Sequence, residues 1–404
     1  MTRPPIGYVL TQHPRTTQTF ISAEIDALRD RGQEVVVFAL NEPSPDVRRN
    51  PVTAAEVAQT TYLKQGGLRA VLGPLLACAR IRPAALVTVA LIALRSGGFD
   101  LRRIVWRMFH LAEALIVWDR CRCLGVRTIH AHFGQTTSTV GWLATRIGHH
   151  SGTGPSDLVI TVHCGTEVED VAETVPGLKA RDARAIVAIS DHTRSQLMRH
   201  VAPQHWEKIS VIRCGIDLDF FEMQPTREAD PPRVLFVGRL DPVKGVSVLL
   251  AAVRLLVERG VRFEVDIVGS GSIEDALRHE AADLPQVTFL GEQPPSEVRS
   301  ALVRAQVFCL PSFDEGIPVS IMEAMAVGTP VVATAVAGVP ELAVDGETAL
   351  VVPAGNEVAL ADALERILAD RDLAARLTRS GRQRVEERHD AVRTLPELLG
   401  LLDG

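Results

Sequence analysis

The sequence predicts an α/β chain built as two doubly wound parallel-sheet domains. Short apolar runs alternate with helical patterns along both halves. A polar segment with three prolines, Asp217 to Pro232, interrupts the alternation and reads as a linker. The length of 404 residues agrees, since about 150 residues per domain gives two domains, each with its own core.

The first half opens with a strand, Ile6 to Thr11. A helix follows from Gln18 to Arg31, with Ile21, Ile25 and Leu28 at i, i+4 and i+7 and Gly32 as its stop. Further strands are expected at Glu34 to Leu40, Thr128 to Phe133, Leu158 to His163, Ala185 to Ile189 and Ile209 to Arg213. Between about 54 and 125 the alternation gives way to helical, apolar sequence, read as an insertion. After the linker, strands are expected at Arg233 to Val237, Phe263 to Val268, Val287 to Leu290, Val307 to Leu310, Pro330 to Thr334 and Ala349 to Val352. The expected domains are therefore 1–216 and 233–388, joined by 217–232, with a final helix in 389–404. Two such domains in series place a ligand cleft at the carboxyl ends of their strands.

Composition narrows the function classes. A hydrophobic content of 46% and a charged content of 23% are those of a globular protein, and a formal charge of −6 argues against general nucleic-acid binding. The insertion departs from that balance. Lys64 to Arg107 carries eight bases and one acid, Asp100. Basic and apolar together suit docking on an anionic membrane face or on a negatively charged acceptor. The longest apolar stretch, Pro83 to Leu94, is too short to cross a bilayer. Met1-Thr2-Arg3-Pro4-Pro5 leads straight into a strand, so no signal peptide is expected, and the six scattered cysteines read as reduced thiols of a cytoplasmic protein.

The most informative stretch is Phe313-Asp314-Glu315-Gly316-Ile317-Pro318-Val319, which runs on to Glu323. It reads as strand, loop, helix, with Pro318 in the first helical turn. The free N–H groups there, with the positive end of the helix dipole, make an anion site. Glu315 precedes that site and Glu323 lies inside the helix, about 7.5 Å beyond Pro318 at 1.5 Å rise per residue. Carboxylates accept hydrogen bonds, so a ligand with a diphosphate between two hydroxylated ends suits the pair. A nucleoside diphosphate sugar has that constitution. The strand Arg233 to Val237 runs into Gly238-Arg239-Leu240-Asp241-Pro242-Val243-Lys244-Gly245, where Gly238 permits close backbone approach and two cations stand ready for a diphosphate.

Other motifs are weaker. Gly269-Ser270-Gly271 starts a dinucleotide fingerprint, but Glu274 occupies the third glycine position, so a tight turn beside a nucleoside is expected instead. Asp217-Leu218-Asp219 mimics a metal-binding pair. No His, Asp or Glu cluster with metal-ligand spacing is seen, so no metal and no cofactor are expected.

The Glu315-to-Glu323 block, the Gly238–Arg239 and Lys244–Gly245 pairs, and Gly338-Val339-Pro340-Glu341 resemble the family 4 retaining glycosyltransferases of GT-B architecture. Pro14-Arg15-Thr16-Thr17-Gln18-Thr19-Phe20-Ile21, Glu24-Ile25 and His130-Ala131-His132-Phe133-Gly134 resemble a narrower branch, the exopolysaccharide transferases of the colanic acid type. The resemblance implies two Rossmann-like domains facing a central cleft, with Ala391 to Leu402 crossing back to the first. It implies transfer of a hexose from a UDP- or GDP-sugar to a glycan or lipid-linked acceptor, with retention and without a metal. Arg239, Lys244, Glu315 and His163 would serve catalysis. Gly238, Gly269, Gly316, Ile317, Pro318, Val319 and Glu323 would hold the donor. Pro14, Arg15, Thr17, His132 and Glu167 would lie on the acceptor side. His163 stands in His163-Cys164-Gly165-Thr166-Glu167, where relatives have a His-Gly-x-Asp turn. The implied place is the cytoplasm, at the inner face of the membrane if 64–107 docks there. A sugar-nucleotide 2-epimerase on the same architecture and a catalytically silent donor-binding subunit are the alternatives.

Overall fold

The computed structural model describes residues 3–15, 19–49, 53–224 and 229–403. The chain divides into two compact units, Met1–Ile212 with Leu395–Gly404, and Arg213–Thr394.

The first unit is a seven-stranded parallel sheet. Its strands are β1 (Ile6–Gln12), β2 (Val35–Asn41), β3 (Thr60–Tyr62), β4 (Thr128–His132), β5 (Asp157–Val162), β6 (Ala185–Ala188) and β7 (Ile209–Val211), in the order β3-β2-β1-β4-β5-β6-β7. β3 was not expected. It lies inside the stretch read as purely helical, and pairs with β2 as a three-residue edge strand. One face of the sheet packs Tyr8, Leu10 and Val159 against Ile21, Ile25 and Leu28 of the helix Thr19–Asp30, and against Leu398 and Leu402 of the last helix, Ala391–Asp403. The other face is covered by the insertion helices Gly67–Ile81, Pro83–Ser96 and Leu101–Leu124 and by Thr136–Ser151. Asp100 caps the Leu101–Leu124 helix by accepting from the Arg102 and Arg103 amides.

The second unit is a six-stranded parallel sheet. Its strands are β8 (Arg233–Val237), β9 (Glu264–Val268), β10 (Val287–Gly291), β11 (Val307–Leu310), β12 (Val331–Thr334) and β13 (Leu350–Val352), in the order β10-β9-β8-β11-β12-β13. Its central strands are apolar on both faces, as helices on both sides require. The segment read as a linker clusters with this unit. Ile216 bridges to Asp390, and an Arg382 guanidinium N–H donates to the Phe221 carbonyl at 2.8 Å. In both sheets the chain starts centrally, runs to one edge, then returns to build the other. The strand order therefore reverses beside β1 in the first sheet and beside β8 in the second. Ligands of doubly wound sheets bind at such points, outside the carboxyl ends of the strands.

Candidate functional site

In the second unit the reversal lies between β8 and β11, and the loops leaving these two strands meet. The β8 loop ends in a 3-10 turn, Pro242–Lys244, closed by Gly245 in the left-handed region. A Cβ on Gly245 would stand 2.1 Å from the Pro311 carbonyl oxygen, so only glycine lets the two loops touch. The contact carries Lys244 to Glu315. The ammonium donates to Glu315 Oε1 at 2.5 Å, and Ser312 Oγ donates to the same oxygen at 2.7 Å. Both charged side chains are largely shielded from solvent. Behind them, Gly269 at the end of β9 sits against the β8 loop, where a Cβ would lie 1.9 Å from the Gly238 carbonyl oxygen.

Arg239 is placed differently from Lys244. It is half-exposed and pairs with Asp241 at 3.0 Å. Asp241 also accepts from the Ser272 hydroxyl at 2.8 Å, which holds its carboxyl below the ordinary range. The helix after Glu315 is Val319–Val327, and Pro318 is its N-cap in an extended conformation rather than part of its first turn. Gly316, Ile317 and Pro318 form the lead-in, so the Val319 and Ser320 amides come first in the helix. Glu323 lies in the helix middle, half-buried, and accepts no hydrogen bond among the described residues. Burial pushes its carboxyl up to about 8. The Asp217 carboxylate accepts from the Asp219 and Phe220 amides, which gives that pair a turn-forming role.

In the first unit the carboxyl ends of β1, β4 and β5 carry a linked polar cluster. Alternation along β4 sends His130 and His132 to one face, under the helix that carries Glu24. Glu24 Oε1 accepts from the Tyr8 hydroxyl at 2.5 Å and lies 3.3 Å from His132 Nε2. Burial pushes the Glu24 carboxyl up, but His132 and His130 outweigh it and hold the group well below the usual carboxylate range. On its other edge, His132 Nδ1 meets His163 Nε2 at 3.1 Å. His163 also packs on Phe20 and Phe133. Phe133 adopts φ 73, a strained backbone for an aromatic residue.

Glu167, expected on the acceptor side, turns inward. Its oxygens accept from the Gly134, His163 and Cys164 amides, at 2.6, 3.0 and 3.1 Å, and burial pushes its carboxyl up to about 7. It braces the loop that carries His163. Pro14 is buried behind a cis peptide bond and Arg15 is partly exposed, while Thr17 lies outside the described residues. Glu24, His130 and Tyr8 were not singled out as site residues from the sequence. Their convergence needs the parallel register that sets Tyr8 opposite His130. No metal-ligand spacing stands in the sequence, but in the structure the ligand atoms of Glu24, His130 and His132 lie within 4.8 Å of one another.

Residues 219–384 match the family model described as glycosyl transferases group 1. The whole chain is similar to the putative colanic acid biosynthesis glycosyltransferase WcaL of Escherichia coli (strain K12), with 30% identity over 403 residues and 95% of each chain covered. This chain belongs to the group 1 glycosyltransferases. The amylovoran biosynthesis glycosyltransferase AmsK of Erwinia amylovora is 37% identical to it over 207 residues, 48% of this chain and 51% of AmsK. In structure, this glycosyltransferase matches Anabaena HepE, solved in complex with UDP and glucose. The TM-score is 0.71 at 17% identity, covering 99% of this chain and 100% of HepE. The two parallel-sheet units are thus the Rossmann-like domains of the GT-B fold. The family's region coincides with the unit that holds Lys244, Glu315 and Glu323.

Proposed function

We propose that this glycosyltransferase moves a hexose from a UDP- or GDP-sugar to a glycan or lipid-linked acceptor, with retention, in the building of a cell-surface polysaccharide. The observation that carries the reading is the Lys244–Glu315 pair, set at the point where the strand order reverses and just before a helix N-terminus. A cation, free amides and a carboxylate in sequence there match a diphosphate followed by a hydroxylated sugar. Glu323, with no protein partner among the described residues, takes the ribose hydroxyls.

In the step proposed, the bond between the sugar anomeric carbon and the diphosphate oxygen breaks. The acceptor oxygen bonds to that carbon on the same face, and its proton passes to the departing phosphate. Lys244, Arg239 and the amides of Ile317 and Val319 stabilise the charge that builds on the diphosphate, a role a divalent ion fills in other transferases. His163 contacts the sugar, and Pro14 and Arg15 lie toward the acceptor.

The partner surface proposed for the insertion is an anionic membrane. More than half of the exposed large apolar side chains among the described residues lie between Leu68 and Phe109. They form stripes that face outward at helical spacing: Leu68, Leu72, Leu76, then Val87, Leu91, Leu94. Arg69, Arg80, Arg82, Arg95 and Arg102 are exposed beside them. Arg107, counted with the basic stretch, is not available, because it is buried and donates to the Ala172 and Glu173 carbonyls. No single helix among the described residues is long and apolar enough to cross a membrane. Gly67–Ile81 and Pro83–Ser96, bent by 119°, pass that test only as a pair.

Lys244→Ala tests the donor site. With the fold intact by thermal melting, turnover is expected to fall about 10²- to 10³-fold, as for a lost electrostatic stabiliser. Wild-type turnover in that variant would remove Lys244 from the diphosphate.

A further inference from the structure

We propose that Glu24, His130 and His132 form a binding site for one divalent transition-metal ion, zinc by donor type. Three observations converge on it.

The first is distance. Glu24 Oε1 lies 3.3 Å from His132 Nε2 and 3.4 Å from His130 Nδ1. Zinc bound tetrahedrally at about 2.0–2.1 Å from nitrogen and oxygen separates its ligand atoms by roughly 3.3–3.4 Å. Two of the cluster's three edges have that length, and all three lie within 4.8 Å.

The second is the outer hydrogen bonding. A ligating histidine normally donates its far N–H to a partner that fixes the tautomer, and a ligating carboxylate is itself hydrogen-bonded. His130 Nε2 meets Thr161 Oγ1 at 2.8 Å, His132 Nδ1 meets His163 Nε2 at 3.1 Å, and Tyr8 donates to Glu24. With those far edges protonated, both near nitrogens present lone pairs to the carboxylate. A cation between them turns three converging acceptors into ligands.

The third is the unpaired atom. His130 is fully buried, and its Nδ1 has no hydrogen-bond partner although it faces Glu24. Such an orphan is costly. A proton on each near nitrogen would pair both histidines with Glu24 without an ion, and one metal ion takes the place of both protons and satisfies all three atoms. Two nitrogens and one carboxylate oxygen suit zinc, and three protein ligands leave a fourth position for water or a ligand. Glu24 is the partly exposed member and gives the ion its way in.

The ion would tie the helix Thr19–Asp30 to β4 and hold His132 against His163. Only the consequence for His163 as a sugar contact rests on the function proposed above.

The experiment uses the full chain, stripped with a chelator and titrated with Zn²⁺ alone, without donor. One ion retained per chain and a raised melting temperature are expected. Co²⁺ in place of Zn²⁺ should give the visible bands of a nitrogen–oxygen site without thiolate charge transfer, which separates this site from the free cysteines. His130→Gln should abolish retention. Thr161→Val, which keeps the shape and removes the outer partner, should weaken it about 10- to 100-fold, and this variant stands if His130→Gln does not fold. Substoichiometric retention, a thiolate spectrum, or undiminished affinity in either variant would overturn the site. None of these outcomes bears on the donor site, which takes no part in the measurement.

Discussion

Glu323 is a carboxylate with no hydrogen-bond partner among the described residues, and its chemistry can be followed by pH. Burial raises its folded-state value to about 8, while the unfolded chain ionises in the ordinary carboxyl range. The folded state therefore keeps a proton that the unfolded state has lost. This group subtracts from stability as pH rises from that range to about 8, and adds no further change above it. Ribose hydroxyls donating to the carboxylate favour its charged form. Binding of UDP or GDP near pH 7 should thus release a proton, seen by calorimetry in buffers of different ionisation enthalpy. Glu323→Gln should abolish the release. Proton release unchanged in that variant would place the ribose elsewhere. At this scale the sequence was informative where a motif lies along a short stretch, as in Glu315 to Glu323. It marked Glu24, His130 and His132 within separate motifs but not their meeting, because more than a hundred residues separate Glu24 from the two histidines.

The elements that build the site are loops held by backbone contact. Gly245 and Gly260 both have positive φ, at 64° and 73°, but a Cβ on Gly245 strikes the Pro311 carbonyl while one on Gly260 meets nothing within 4 Å. Gly260→Ala should cost about 1 kcal/mol of backbone strain alone. Gly245→Ala should cost more, about 2–3 kcal/mol in urea unfolding, and should weaken nucleotide binding by pulling Lys244 from Glu315. Equal losses in the two variants would mean that the contact between the loops contributes nothing. Helices and strands were legible here because their periodicities are local. The Thr19–Asp30 helix and every strand of the second sheet appear within a residue or two of their expected bounds. β3 escaped because three residues show no alternation, and its pairing comes from β2 rather than from its own sequence. Pro318 was legible as a helix-start signal, but its extended conformation places it just outside the helix.

For the molecule as a whole, the charge of −6 conceals a face of opposite sign, where exposed arginines flank outward apolar stripes. The protein should sediment with vesicles containing phosphatidylglycerol and much less with neutral phosphatidylcholine vesicles, and added salt should release it. Leu72→Gln with Leu76→Gln should reduce sedimentation without lowering the melting temperature, since both side chains already face solvent. Equal recovery on neutral and anionic vesicles would remove the charge argument, and recovery unaffected by the double variant would remove the stripe. By itself the sequence determined the two α/β halves, the basic insertion and the Glu315-to-Glu323 motif, because periodicity, composition and spacing are carried by residues close along the chain. Only the tertiary structure decided that Glu167 braces a loop, that Arg107 is buried, and that Glu24 meets two histidines. Those outcomes depend on which strands lie side by side and which helix covers them, and burial and hydrogen bonding between distant segments set both.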